Sequence, residues 1–256
     1  MKKMLFISNI SNKITNFSIP SIYAGQQLGY EFHMAANYSG FSDDYSKYNV
    51  VLHHIDLSRN PLSIKNLKAF KQMIVLIKKE NFEAIHCNTP IGGVLGRLCG
   101  KIAKVPKVIY TAHGFHFYKG APLINRTIFK WAEKIMARYT DVIITMNQED
   151  YLAAQKFKLR KGGKVYYIPG VGVNTEEYQI VGVDKTALKT SLDLNDNDTV
   201  MIAMGDLIPR KNYAASIKAV AKAADDKLHF LICGRGPELD ELKSLAKELD
   251  VEKQIH

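Results

Sequence analysis

The chain has 256 residues, enough for one large domain or two of ordinary size. Its apolar content of 46% is that of a globular protein, and no stretch approaches the roughly 20 apolar residues of a membrane span. The net charge of +10 is unevenly shared: residues 1–170 carry 24 Lys and Arg against 10 Asp and Glu, and residues 171–256 carry 11 against 15. A basic half joined to a mildly acidic one points the first half toward something anionic, such as a membrane surface, a lipid phosphate or a nucleic acid; the alternative is a set of solvated Lys-rich helix faces. Lys2 and Lys3 precede only the short run Met4–Ile7, which is no secretory core. Cys87, Cys99 and Cys233 are odd in number and have no metal-ligand spacing, so they read as reduced, mostly buried thiols of a cytosolic protein.

Along the chain, short apolar runs alternate with helix-period segments, the layout of a parallel sheet covered by helices. Strands are expected at Lys3–Ser8, Glu31–Ala36, Val50–His54, Glu83–Cys87, Lys107–Thr111, Asp141–Thr145 and Val165–Ile168. Helices fall near Phe17–Leu28, from Pro61 to Glu80, at Pro90–Ala103, at Leu123–Tyr139 with the only tryptophan, Trp131, and near Gln148–Phe157. In the second of these, Ile64, Leu67, Phe70, Ile74 and Ile77 follow the helical period and five lysines line the other face. Pro169, Gly170 and Gly172 interrupt the periodicity, which divides the chain into domains 1–170 and 171–256. The rhythm then restarts: a short helix Lys185–Leu192, strand Val200–Met204, helix Tyr213–Ala224, strand His229–Cys233, helix Glu238–Leu249. His256 falls where a further strand is due, so the second domain reads as incomplete.

In doubly wound sheets, ligands bind beyond the carboxyl ends of the strands. Four loops stand there. Thr111–Phe117 places His113 directly after a strand, before Gly114. A lone His–Gly is more often a structural cap, but His113, Phe115, His116 and Phe117 in one loop favour a site, and a histidine can move a proton or bond a developing charge. Gly205–Asn212 sets Arg210 and Lys211 at a helix start, where a bound diphosphate would balance two cations; a plain basic turn is the alternative. Gly234-Arg235-Gly236 is half of a dinucleotide fingerprint, with no third glycine. Gly170–Val173 is expected to be a flexible segment lining a cleft between lobes, with a plain linker as the alternative. No Walker A sequence is present, and no glycine fingerprint follows the first strand, against P-loop ATPases and nicotinamide enzymes. Asp196-Asn197-Asp198 precedes a strand and reads as a solvated turn rather than a metal site.

Taken in order, HCNTPIGGVLGRL (86–98), TAHGFHFYKG (111–120), RYTDVIITMNQEDY (138–151), IPGVGVN (168–174), GDLIPRKN (205–212) and ICGRGPELDEL (232–242) resemble the retaining glycosyltransferases of family 4. The resemblance spans the whole chain and is nearest the enzymes of bacterial capsular and exopolysaccharide assembly. It implies an α/β, GT-B-like fold of two Rossmann-like doubly wound parallel-sheet domains, an N-terminal acceptor domain and a partial C-terminal donor domain. It implies that His113 is catalytic beside the donor sugar and that Gly205, Arg210, Lys211, Gly234 and Gly236 bind the donor. Asn9, Asn16, Gly114 and Phe115 would meet the acceptor. The donor would be a nucleotide sugar, UDP-linked, and the acceptor a lipid-linked glycan. The leaving diphosphate would be stabilised electrostatically, with no metal and no cofactor.

Two departures stand out. Many members carry Arg where this chain has Asp206, and their paired-glutamate motif, E-x7-E, has no counterpart; Glu241 and Glu248 stand one residue too close for it and precede its place. The leading expectation is a cytoplasmic enzyme, peripheral at the inner face of the membrane, docked through Ile64–Glu80 and Leu123–Tyr139. The alternatives are a catalytically inactive fragment or acceptor-binding module, and a sugar-nucleotide 2-epimerase. No nucleic-acid motif accompanies the charge, so no nucleic-acid partner is expected.

Overall fold

A computed structural model describes every residue except Glu177. It divides the chain into two compact units, Met1–Asn174 and Thr175–His256, four residues beyond the division expected from the sequence.

The first unit is a seven-stranded sheet of β1 (Lys2–Ile10), β2 (Tyr30–Asn37), β3 (Val50–His54), β4 (Ala84–Cys87), β5 (Lys107–Ala112), β6 (Val142–Thr145) and β7 (Lys164–Tyr167). The order is β3-β2-β1-β4-β5-β6-β7 and every pairing is parallel. Strand order reverses between β1 and β4, the crevice where such sheets take ligands. The helices are α1 (Ile19–Gln27), α2 (Lys65–Glu80), α3 (Pro90–Ile102), α4 (Lys130–Ala137) and α5 (Gln148–Ala154).

The apolar run of β1 is buried because successive side chains feed opposite faces. Leu5 and Ile7 join the core of Met73, Ile85, Val108 and Tyr110, whereas Met4 and Phe6 join that of Ile22, Phe32 and Met34. Helix α3 lies close on the sheet. A Cβ on Gly96 would stand 2.5 Å from Cys87 Sγ, and one on Gly100 2.4 Å from Ile85 Cδ1.

Two helices differ from the periodic reading. In α2 the inward positions are Asn66, Ala69, Met73 and Ile77, while Ile64 and Leu67 remain exposed. The helix turns its Ala/Met seam to the sheet, and Phe70 and Ile74 pack beside it. The segment expected as one helix over Leu123–Tyr139 contains a π-helical turn, Asn125–Phe129, before α4.

The second unit contains α6 (Lys185–Ser191), β8 (Thr199–Met204), α7 (Tyr213–Ala223), β9 (Leu228–Cys233) and α8 (Leu239–Glu248). β8 and β9 pair in parallel, and Ile255 forms a parallel bridge with Phe230 on the other side of β9. Its core gathers Leu207, Ile217, Val220, Phe230, Leu242 and Ala246.

Candidate active site

In the first unit, the carboxyl ends of β1, β4 and β5 deliver Asn9, Asn88 and His113 to the crevice. His113 is exposed, and its Nε2 lies 3.1 Å from Asn88 Oδ1. An amide oxygen only accepts, so Nε2 carries the proton and Nδ1 is left with its lone pair. The Asn88 amide nitrogen points the other way, 3.5 Å from the His86 carbonyl. Phe17 meets the His113 ring edge-on, with centroids 5.3 Å apart. Desolvation lowers the His113 pKa below the ordinary histidine value, which keeps the ring neutral at pH 7. Beneath it, His86 is buried with Nε2 2.7 Å from Thr111 Oγ1, and burial followed by the His113 charge pulls its pKa down to about 4.

The backbone at this end is strained. Thr89, at the N-cap of α3, has φ +62° and ψ 156°, a region L residues rarely adopt. Gly114 has φ +143°, and a Cβ there would meet nothing, so glycine answers a conformational need. The loop that follows is pinned by the first turn of α5. Asp150 accepts from the Phe115 N–H at 2.9 Å and from Asn147 Nδ2 at 2.8 Å, and Glu149 accepts from the Lys119 N–H at 2.7 Å.

These contacts revise two sequence expectations. Phe115 is 6% exposed and stacks on Phe117, so its ring belongs to the core and is not offered to an acceptor. Asn9 is buried and its Oδ1 accepts the Gly92 N–H at 2.8 Å, so its amide oxygen ties β1 to the first turn of α3. Asn16 is half-buried in the loop after β1, next to Phe17.

In the second unit, the loops after β8 and β9 run backbone to backbone. Gly205 N–H donates to the Cys233 carbonyl and Leu207 N–H to that of Arg235, both at 3.0 Å. A Cβ on Gly234 would lie 2.0 Å from the Gly205 oxygen, and one on Gly236 2.4 Å from that of Leu207. Both glycines are therefore required for the two loops to touch. Arg210 and Lys211 are exposed, but they occupy a separate 3-10 turn, Pro209–Lys211, rather than the first turn of α7, because left-handed Asn212 (φ +53°) intervenes. Lys211 Nζ folds back toward Gly205, 3.5 Å from where a Cβ would be. Among the described residues no group of three or more metal-ligating side chains converges. Asp198 Oδ2 instead closes its own turn, accepting from Asn195 N–H at 2.6 Å.

Sequence reasoning missed Asn88, although it follows a strand end by the same criterion that selected His113. It also missed Arg97, wholly buried in α3, whose Nη1 and Nη2 reach Glu133 at 2.8 and 3.1 Å. Nothing in an apolar, glycine-rich helix signals a buried ion pair.

A parallel seven-stranded sheet with a histidine at its carboxyl ends, in a chain whose second unit carries a glycine-lined basic loop, has the architecture of GT-B glycosyltransferases. The chain belongs to the glycosyltransferase 4-like family: residues 3–159 match the model described as glycosyl transferase 4-like, and residues 184–256 match that of glycosyl transferases group 1. It is similar to the Bacillus subtilis protein named glycosyltransferase EpsD, 33% identical over 99% of this chain and 67% of that one. A second relative is the Escherichia coli UDP-Gal:alpha-D-GlcNAc-diphosphoundecaprenol alpha-1,3-galactosyltransferase, 29% identical over 78% of this chain and 52% of its own length. The fold is shared with HepE of Anabaena, in a structure with UDP and glucose, at a TM-score of 0.73 and 17% identity over 100% of this chain and 68% of that one.

Proposed function

We propose that this chain takes part in transferring a sugar from a UDP-sugar to a lipid-linked glycan during cell-surface polysaccharide synthesis. The observation that carries the reading is the Asn88–His113 hydrogen bond at the sheet's switch point, which holds a neutral imidazole with Nδ1 available. His113 would accept or steady a proton beside the donor sugar. Gly205, Arg210, Lys211, Gly234 and Gly236 would receive the diphosphate, whose leaving charge the two cations would stabilise with no metal and no cofactor. Gly114 and Asn16 would face the acceptor. Support for the substrates comes from the E. coli relative, whose name specifies a UDP-Gal donor and a diphosphoundecaprenol-linked acceptor.

The same reading places the protein at the cytoplasmic face of an anionic membrane. Leu123, Ile124, Ile128 and Trp131 are 59–74% exposed, beside Arg126, Lys130 and Lys134. Apolar surface of this size next to cations suits an interfacial helix. No helix of the described residues is long and apolar enough to cross a membrane.

Calorimetric titration of UDP and UDP-sugars tests the donor half. Binding that disappears in Lys211→Ala supports it, and absence of binding to the 256-residue chain favours a second reading, an acceptor-binding module that does not turn over. Co-sedimentation with anionic vesicles at low salt tests the membrane half; a protein left in the supernatant sinks it.

A further inference from the structure

Resting on the membrane reading above, we infer that Arg97 and Glu133 are positioning residues that couple the exposed face of α4 to the Asn88–His113 bond. Glu133 stands two residues from Trp131 on α4, yet it holds both elements that carry that bond. Toward α3, its carboxylate takes Arg97 in a two-pronged pair, and Arg97 Nε donates at 2.8 Å to the Gly93 carbonyl in the first turns of that helix. Gly93 N–H donates in turn to the Thr89 carbonyl at 2.7 Å, next to Asn88. Toward β5, Glu133 Oε1 lies 3.4 Å from the Tyr110 hydroxyl, three residues before His113. The Arg97 guanidinium carbon sits 3.8 Å from the centre of the Tyr110 ring, so the three side chains form one block.

Stability alone does not account for this block. Apolar residues of similar volume commonly serve a buried site as well as an ion pair or better. What the planar fork adds is direction: two parallel hydrogen bonds fix the orientation of α4 against α3 as a point charge or a methyl group would not. A shift of α4 on engaging lipid is thereby passed to the first turn of α3 and to the end of β5.

The test is hydrogen exchange of the Ile91–Gly93 amides, with and without vesicles of phosphatidylglycerol and phosphatidylethanolamine at low salt, alongside co-sedimentation. In the wild-type protein, bound vesicles should slow exchange there by about fivefold or more. The double variant Arg97→Met/Glu133→Leu, which keeps the volume without the buried charges, should still bind vesicles and lose that response. Glu133→Gln, the isosteric single change, should lose it too. A slowing retained in both variants, or wild-type binding without any slowing, overturns the coupling and leaves the membrane reading standing. Wild-type protein that does not bind vesicles overturns both.

Discussion

β1 and β8 have the same kind of apolar sequence and opposite surroundings. In β1, Met4 to Ile7 are no more than 6% exposed, whereas in β8 Val200 and Met201 are 37%, Ile202 65% and Met204 78% exposed. β1 has β2 on one side and β4 on the other, with packed residues on both faces. β8 has β9 alone. Burial of a parallel strand is thus a property of its neighbours, and an apolar run states only a demand for them.

The largest expected effect lies in the first unit. Glu133→Ala strands the buried Arg97 cation and should cost about 3–5 kcal/mol. Urea unfolding followed by Trp131 fluorescence checks it, and exchange in β8–α8 should stay unchanged.

A second contrast is pH. The His86 pKa is depressed in the fold, so the unfolded state binds the extra proton first and stability falls as pH drops from the unfolded value near 6.5 through about 4. The loss approaches about 3 kcal/mol over that window. Urea midpoints at a series of pH values should show the slope, and His86→Gln should flatten it.

In the second unit, Gly234→Ala forces a methyl against the Gly205 carbonyl and should cost about 1–3 kcal/mol. Falling on the smaller core, this should raise deuterium uptake across residues 199–248 while β1–β6 keep their protection. The smallest effect sharpens the strand comparison. Ile202→Thr should change stability by less than about 0.5 kcal/mol, against about 0.5–1.5 kcal/mol for Ile7→Val. A large loss at Ile202 would mean that β8 is covered in solution.

Every strand of both sheets was legible as a short run rich in apolar residues, and in β1 and β4 the cause is that strands buried on two faces cannot alternate with polar residues. That His113 directly follows a strand was legible, and strand ends are where such folds place ligands. Asn88 met the same criterion unnoticed, since its meaning depends on a histidine 25 residues away. Phe115 was misread because aromatic residues beside a site histidine serve core and ligand equally well, and only packing on Phe117 and Phe157 separates the two.

By itself, the order of apolar runs, glycines and strand-end loops determined the α/β class and the two-part organisation, since these follow from local periodicity, and the loop motifs carried the resemblance to the family. The tertiary structure alone decided that Arg97 is buried on Glu133, that Asn9 serves α3, and that Gly234 and Gly236 seat one loop on another. Those facts join residues tens of positions apart, and each depends on distances of a few ångströms that no local pattern encodes.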